Sequence, residues 1–180
     1  KQVLTYSRKA ETKTKPLLVR PLVEETLELF TISLPANIII NKVIQSNAMI
    51  IADPSHIHQI VMNLCTNALH AMKNTGGILS VTLEDIQIDE NQVSHELCLI
   101  PGEFVKLTVA DTGHGIPTGI QDKILTPFFS TKKRGEGTGM GLSMTHGIVQ
   151  QYNGIIIFDS EPGNGTSFYV YLPQYIDHQA

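Results

Sequence analysis

The residues of this chain best suited to chemistry are amides and imidazoles repeated at helical spacing: His56, Gln59, Asn63, Asn67 and His70. At about 100° of rotation per residue, all five fall within roughly 40° of one line along a helix. Ile57, Val61, Leu64, Ala68 and Met72 lie on the opposite side. Such a helix packs a broad apolar face on a sheet and presents a narrow polar ridge. A solvated face is the plain use for a ridge, but solvated faces favour Lys, Glu and Arg. Asn is a poor helix former, by about half a kcal/mol relative to Ala. Two asparagines one turn apart therefore suggest that the amides themselves are wanted. Amide oxygens can ligate Mg²⁺, which takes few protein ligands and completes its octahedron with water and phosphate oxygens. The nearby His56-x-His58 makes no metal site, because residues two apart point to different sides of a helix.

Glycine-rich segments supply three further signals. Asp111-Thr112-Gly113-His114-Gly115-Ile116 follows a strand-like run. A carboxylate at a strand end can accept from an exocyclic amine, and glycines let a flat ring approach the backbone. A simple Asp-x-Gly turn is the competing use. Gly135 to Leu142 ends at a predicted helix N-terminus, where backbone N–H groups and the helix dipole suit a phosphate. It is no Walker A loop, since no Gly-Lys-Ser/Thr follows, and it does not follow a strand as a dinucleotide fingerprint does. Lys132, five residues before Gly137, could bring a charge onto a terminal phosphate. Gly163-x-Gly165-Thr166 reads as a hairpin turn, from which Thr166 could still reach a ligand.

The elements that must position these residues follow from caps and periodicity. Asp53-Pro54 is a helix start, with a side-chain acceptor at the N-cap and Pro at the first helical position. That helix runs to about Met72 and stops before Gly76-Gly77. Pro16 to Val19 suits a short strand, and Pro21 opens a helix carrying Val23, Leu27 and Phe30. Asn37 to Val43 and Ala48 to Ile51 are β-rich runs separated by the polar turn Gln45-Ser46-Asn47. Strands are expected over Ile78 to Ile88, Phe104 to Ala110, Ile155 to Ser160 and Thr166 to Leu172. The last two flank a five-residue hairpin loop, Glu161 to Gly165. A helix from about Met140 to Tyr152 ends at Asn153-Gly154. Residues 89–102 carry no readable pattern, and Asp111 to Gly141 is rich in Gly and Pro with little regularity. Hairpin strands with three helices and no regular βαβ alternation favour a two-layer α/β sandwich with a mixed, mostly antiparallel sheet.

Composition sets the outer bounds. The 180 residues suit one domain, and 42% hydrophobic with 17% charged residues is ordinary for a globular chain. No apolar run approaches the roughly 20 residues that span a bilayer. A net charge of −4 argues against a general nucleic-acid binder. Cys65 and Cys98 make no disulfide framework and read as reduced thiols, which fits a cytoplasmic setting.

With these residues in order, the chain resembles the ATP-binding catalytic domain of sensor histidine kinases. These belong to the superfamily of gyrase-type ATPases, mismatch-repair ATPases and related chaperones. Asn63-Leu64-x-x-Asn67-Ala68 resembles the N box, and Asp111-x-Gly113-x-Gly115 the first glycine box. Pro127 to Lys132 resembles the F box, Gly137 to Leu142 the second glycine box, and Gly163-x-Gly165-Thr166-x-Phe168 the last glycine motif. The resemblance implies the Bergerat-type sandwich, with a mobile lid over ATP between Ile116 and Gly137. It places Asn63, Lys132 and Gln59 at the reacting centre, with Asn63 and Asn67 holding Mg²⁺. Around the nucleotide it places Asn67, His70, Asp111, Gly113, Gly115, Ile116, Phe128, Thr131 and Thr166. Gly137, Thr138, Gly139, Met140, Gly141 and Leu142 would hold the phosphates.

By the same resemblance residues 1–15 form the end of a dimerisation helix and a linker, 16–175 the catalytic domain and 176–180 a tail. The partners implied are a dimerisation domain bearing the acceptor histidine and a response-regulator receiver domain. The full-length protein would be a homodimer, with no membrane contact by this domain. Three positions depart from the pattern: Gln59 where hydrolytic relatives have Glu, His70 where these kinases often have Lys, and Thr126 where many have an acidic residue. An amide cannot act as a general base for water, so Gln59 disfavours a hydrolytic clamp. Complete glycine motifs and Lys132 disfavour a degenerate, non-catalytic module. The helix-like residues 1–14 speak against an anti-sigma-factor serine kinase.

Overall fold

The structure, a computed structural model, describes residues 14–89, 100–126, 129 and 140–176. Strand β1 (Lys15–Leu18) leads into helix α1 (Val19–Ile32), followed by β2 (Ile38–Ile44) and β3 (Met49–Ala52). Helix α2 (Pro54–Ala71), β4 (Gly77–Ile88) and β5 (Gly102–Asp111) come next. A 3₁₀ turn at Thr118–Lys123, helix α3 (Gly141–Gln151), β6 (Ile155–Glu161) and β7 (Gly165–Pro173) complete the order. The main sheet has the order β2-β4-β5-β7-β6, and β1 pairs with β3 in a sheet of two. Only β2 and β4 run parallel in the main sheet; its other pairs are antiparallel. This is the mixed, mostly antiparallel sandwich that the sequence predicts.

Helix α2 lies at the centre because its sequence is strongly one-sided. Ile57, Ile60, Val61, Leu64, Cys65 and Ala68 are buried, in one cluster with Leu79, Val81 and Leu83 of β4 and Val109 of β5. Its start is fixed as expected: Asp53 Oδ1 accepts from the Ser55 backbone N–H at 2.9 Å, and Pro54 needs no donor there. Burial pushes the Cys65 thiol up to about 12, which leaves it inert. At the end of α3, Asn153 takes φ 55° and Gly154 N–H donates to Val149 O at 2.9 Å, the closing turn its sequence predicts.

Two details differ from the sequence reading, and a third settles a pairing it left open. Helix α1 starts at Val19, two residues before Pro21, because Pro is tolerated anywhere its missing N–H has no partner to lose. β2 and β3 do not pair across Gln45-Ser46-Asn47. Gln45 N–H and Ser46 N–H both donate to Leu83 O, at 2.8 and 3.1 Å, and Ser46 Oγ donates to Asp85 of β4. The turn is thus pinned to β4, and the chain leaves the main sheet to pair with β1 instead. The β6–β7 loop is shorter than expected, because Glu161 and Gly165 are themselves cross-strand partners. Within the irregular stretch after Asp111, the 3₁₀ turn at Thr118–Lys123 had no clear periodic signal.

Candidate functional site

The polar ridge of α2 is half-buried rather than solvated, because α3 lies across it. His56 Nδ1 is 2.6 Å from the Tyr152 hydroxyl, Gln59 Nε2 contacts Met144 Sδ, and Asn63 reaches the first turn of α3. His58, two residues from His56, faces the other way: its Nδ1 is 2.6 Å from Thr26 Oγ1 on α1.

Asn63 is the most constrained member. Its Nδ2 donates to Gly141 O at 3.1 Å and to Thr145 Oγ1 at 3.2 Å. With the nitrogen turned toward these two acceptors, the other end of the amide is Oδ1, an acceptor only. A fixed, hard, neutral oxygen is a donor that suits Mg²⁺. Beside it, α3 begins at Gly141 with no side-chain cap and no acidic residue in its first turn. Backbone N–H groups at such an end favour an anion. Met140 precedes that turn and is partly exposed, while Leu142 packs on the core. Asn67, one turn further along α2, is half-buried. His70 Nδ1 donates to Thr66 O at 2.7 Å, so Nε2 is the ring atom with a free lone pair in the neutral imidazole.

The other end of the ridge meets the turn after β5. His114 N–H donates to Ala71 O at 3.2 Å. A Cβ on Gly113 would come within 2.6 Å of that same carbonyl. A Cβ on Gly115, at φ 69°, would come still closer to Glu161 O, at 2.2 Å. The chain's own backbone therefore already requires glycine at both positions. Inside this turn Asp111 is 8% exposed, and its carboxylate accepts from Gly113 N–H at 2.8 Å. Burial pushes Asp111 above the ordinary carboxylate value, against the pull of backbone N–H bonds from Gly113 and Thr166 and of nearby His114.

Thr166 is the cross-strand partner of Asp111. Its hydroxyl lies 2.8 Å from Ser160 Oγ. Ser160 Oγ also accepts from Ile116 N–H at 2.8 Å and donates to Gly165 O at 3.1 Å. The Ser160 hydrogen is thereby used, so Thr166 donates to Ser160 and keeps its lone pairs. Gln121 Nε2 bridges Ile116 O and Ser160 O at 3.0 and 3.1 Å. Ile116 is thus held on the β6–β7 hairpin.

From Asn63 to Ala71 the ridge rises about 12 Å. It carries an oriented amide and a helix N-terminus at one end, and a buried carboxylate at the other. Lys132, Phe128, Thr131, Gly137, Thr138 and Gly139 lie outside the described residues. Sequence reasoning passed over Thr145, Ser160, Gln121 and Tyr152. Thr145 had a signal of the kind that marked the asparagines, a poor helix former within a helix. The other three had none: Tyr152 meets Asp53 and His56 from far along the chain, while Ser160 and Gln121 join turns that no periodicity marks.

Fold and site together place the chain among the ATP-binding α/β sandwiches. It belongs to the family of histidine kinase-, DNA gyrase B- and HSP90-like ATPases, whose profile matches residues 52–176. It is similar to the sensor kinase CckA of Brucella abortus, 41% identical over 128 residues, covering 71% of this chain and 13% of CckA. It is also similar to the sensory histidine kinase/phosphatase NtrB of Proteus hauseri, 34% identical over 157 residues, covering 86% of this chain and 42% of NtrB. The solved catalytic domain of histidine kinase ThkA shares the fold with a TM-score of 0.71 at 27% identity, covering 90% of this chain and 96% of that domain. The chain thus spans less than half the length of these two curated relatives. Among the described residues no helix is long and apolar enough to cross a membrane.

Proposed function

We propose that this chain is the catalytic domain of a two-component sensor histidine kinase, transferring the γ-phosphate of Mg²⁺-bound ATP to a histidine on a dimerisation domain. The observation that carries the reading is the Asn63 amide, its nitrogen held on α3 so that Oδ1 faces away, about 12 Å along α2 from the turn that carries the buried Asp111 carboxylate. The adenine amino group donates to Asp111, with Thr166 beside the ring. Gly113, Gly115 and Ile116 form the turn that carries Asp111. The N-terminus of α3, Met140 to Leu142, takes phosphate oxygens together with Gly137, Thr138 and Gly139.

Mg²⁺ would neutralise phosphate charge; Asn63 would hold it, with Asn67 assisting, and His70 Nε2 would offer a further contact to phosphate. Lys132 brings charge to the terminal phosphate, and Phe128 and Thr131 belong to the lid that closes over ATP. Transfer of this kind rests on positioning and electrostatics more than on covalent chemistry by the protein. Gln59 stands where a hydrolytic enzyme needs a base, and an amide does not deprotonate water. The product phosphohistidine then passes its phosphoryl group to a response-regulator receiver domain. The kinase names of CckA and NtrB support the reading over a hydrolytic clamp.

The test is labelled ATP supplied to this chain alone and to the same chain preceded by its dimerisation domain. The expected result is binding with scarcely any turnover for the first, and an acid-labile phosphate for the second. Fast ATP turnover by the chain alone overturns the kinase reading in favour of a clamp ATPase.

A further inference from the structure

Thr145 has no part in the roles assigned so far, yet it is fully buried, at 0% exposure. Its Oγ1 donates to Gly141 O at 2.9 Å, one turn back along α3. The same oxygen accepts from Asn63 Nδ2 at 3.2 Å, and Gly141 O accepts from that nitrogen at 3.1 Å. Three groups thus close a small ring: hydroxyl to carbonyl, and one amide to both. The ring decides which way the amide faces. An Asn side chain is nearly symmetric in shape, and its two ends exchange by rotation about one bond. Two acceptors on α3 make the nitrogen end the one that faces α3. Remove the Thr145 oxygen and the preference drops to a single hydrogen bond.

We propose that Thr145 is a positioning residue for the metal-ligating amide: it holds Asn63 with Oδ1 turned toward the cation. This rests on the kinase reading above, in which Asn63 is a Mg²⁺ ligand. The logic is that of partners behind a metal ligand, whose loss weakens metal binding without touching the metal. Because Gly141 opens α3 and Thr145 lies one turn inside it, the first turn of α3 and the metal ligand form one unit. Any displacement of that turn therefore reaches the cation through Asn63.

The experiment titrates Mg²⁺ at a fixed concentration of non-hydrolysable ATP analogue, using the 180-residue chain and its Thr145→Val, Thr145→Ser and Asn63→Ala variants. Thr145→Val keeps the shape and removes the hydroxyl. It should raise the Mg²⁺ concentration for half-maximal tightening of nucleotide binding by about tenfold. Metal-free binding in EDTA should stay unchanged, and Thr145→Ser should restore the wild-type response. A purely structural role for Thr145 would shift the EDTA affinity as well. A Mg²⁺ response unchanged in Thr145→Val but lost in Asn63→Ala overturns the positioning role and leaves the kinase reading standing. A response unchanged in both removes Asn63 as a ligand, and the proposal with it. The wild type gives an independent check by NMR: the Asn63 side-chain amide protons, assigned by their loss in Asn63→Ala, should exchange slowly with water. Fast exchange would show that the ring is not formed and would overturn the proposal even if Thr145→Val fails to fold.

Discussion

Under the proposed function the ridge of α2 has a base end at Asp111 and a metal end at Asn63, and the two are built from different materials. At the Asp111 end the architecture is backbone against backbone. Gly113 lies against Ala71 O, Gly115 against Glu161 O, and Gly165 against Asp111 O, each closer than a side chain would allow. Sheet hydrogen bonds between β5 and β7 fix Asp111 opposite Thr166. At the Asn63 end the positioning is done by side chains, through one amide and one hydroxyl reaching between two helices. Backbone contacts of this kind are shared with the fold itself, so the base end cannot loosen without loosening the sheet. The metal end can lose its geometry while the helices stay in place. Under the same proposal, that division suits a domain that reads its nucleotide rigidly yet changes the phosphate end during turnover.

The largest effect should come from breaking the base end at its backbone. A Cβ on Gly165 would sit 1.9 Å from Asp111 O, at a φ of 92°. Gly165→Ala should therefore cost about 3 kcal/mol or more in urea unfolding, combining backbone strain with overpacking. Gly163, at φ 88° in the same hairpin, has open space around it. Gly163→Ala should carry only the left-handed strain of about 1–2 kcal/mol. Equal losses in the two variants would show that the close approach is not rigid.

Asp111 itself comes next. A carboxylate accepts from the amino group of adenine but faces a carbonyl oxygen in guanine, so ATP should bind better than GTP. Asp111→Asn exchanges a charged acceptor for an amide that can also donate. Losing a hydrogen bond to a charged group removes about 1.5–3 kcal/mol, roughly ten- to hundredfold in the ATP-over-GTP ratio measured by calorimetry. Acid should have a related effect, because burial raises Asp111 from its ordinary value of 3.8. The folded chain takes up this proton at a higher pH than the unfolded chain does. Nucleotide affinity should fall on acidification while carboxylates in water are still ionised. For stability the sign is opposite: this residue favours the fold at low pH, and that contribution is lost as pH rises through the folded value.

Smaller again is the effect at the metal end, where Asn63→Ala should weaken Mg²⁺-dependent nucleotide binding about tenfold or more with little change in urea unfolding. His58→Ala should do the reverse. His58 is bonded to Thr26 on α1, away from the ridge, so its loss should cost about 1 kcal/mol of stability and leave the Mg²⁺ titration unmoved.

Most of the fold was legible because its signals are local. Asp53-Pro54 announced α2, Asn153-Gly154 closed α3, and the alternating run Phe104 to Ala110 marked β5. What was not legible depends on distant partners. Nothing in Gln45-Ser46-Asn47 says that its N–H groups will bond Leu83, so the choice of β4 and β1 over a β2–β3 hairpin could not be read. The ridge was recognised from its period, but its half-burial was not, since α3 is contributed by residues far along the chain. The glycines near Asp111 were recognised as a requirement for close approach, and the structure adds that the approaching groups include Ala71 and Glu161. Thr145 hid behind the glycine box, four residues after Gly141.

The smallest predicted effect divides the ridge itself. His56 shares its helical phase with Asn63, yet its ring is bonded to Tyr152 at the far end of α3. The Tyr152 hydroxyl also accepts from Asp53 N–H at 3.0 Å, so one phenol ties the start of α2 to the end of α3. Burial raises its ionisation above the ordinary value for tyrosine, with the Asp53 N–H pulling the other way, so it stays a neutral hydroxyl at physiological pH. Tyr152→Phe removes that oxygen and keeps the ring. A half-buried N–H and an imidazole nitrogen each lose a partner, which should cost about 1 kcal/mol in urea unfolding. Because α3 is only 11 residues long, loosening its C-terminal anchor tests whether its first turn is held independently. If Gly141 and Thr145 are held by Asn63 alone, Tyr152→Phe will leave the Mg²⁺ titration where it was. A parallel shift in Mg²⁺ dependence would show instead that α3 moves as one rigid body, and that the metal end is no more independent of the fold than the base end is.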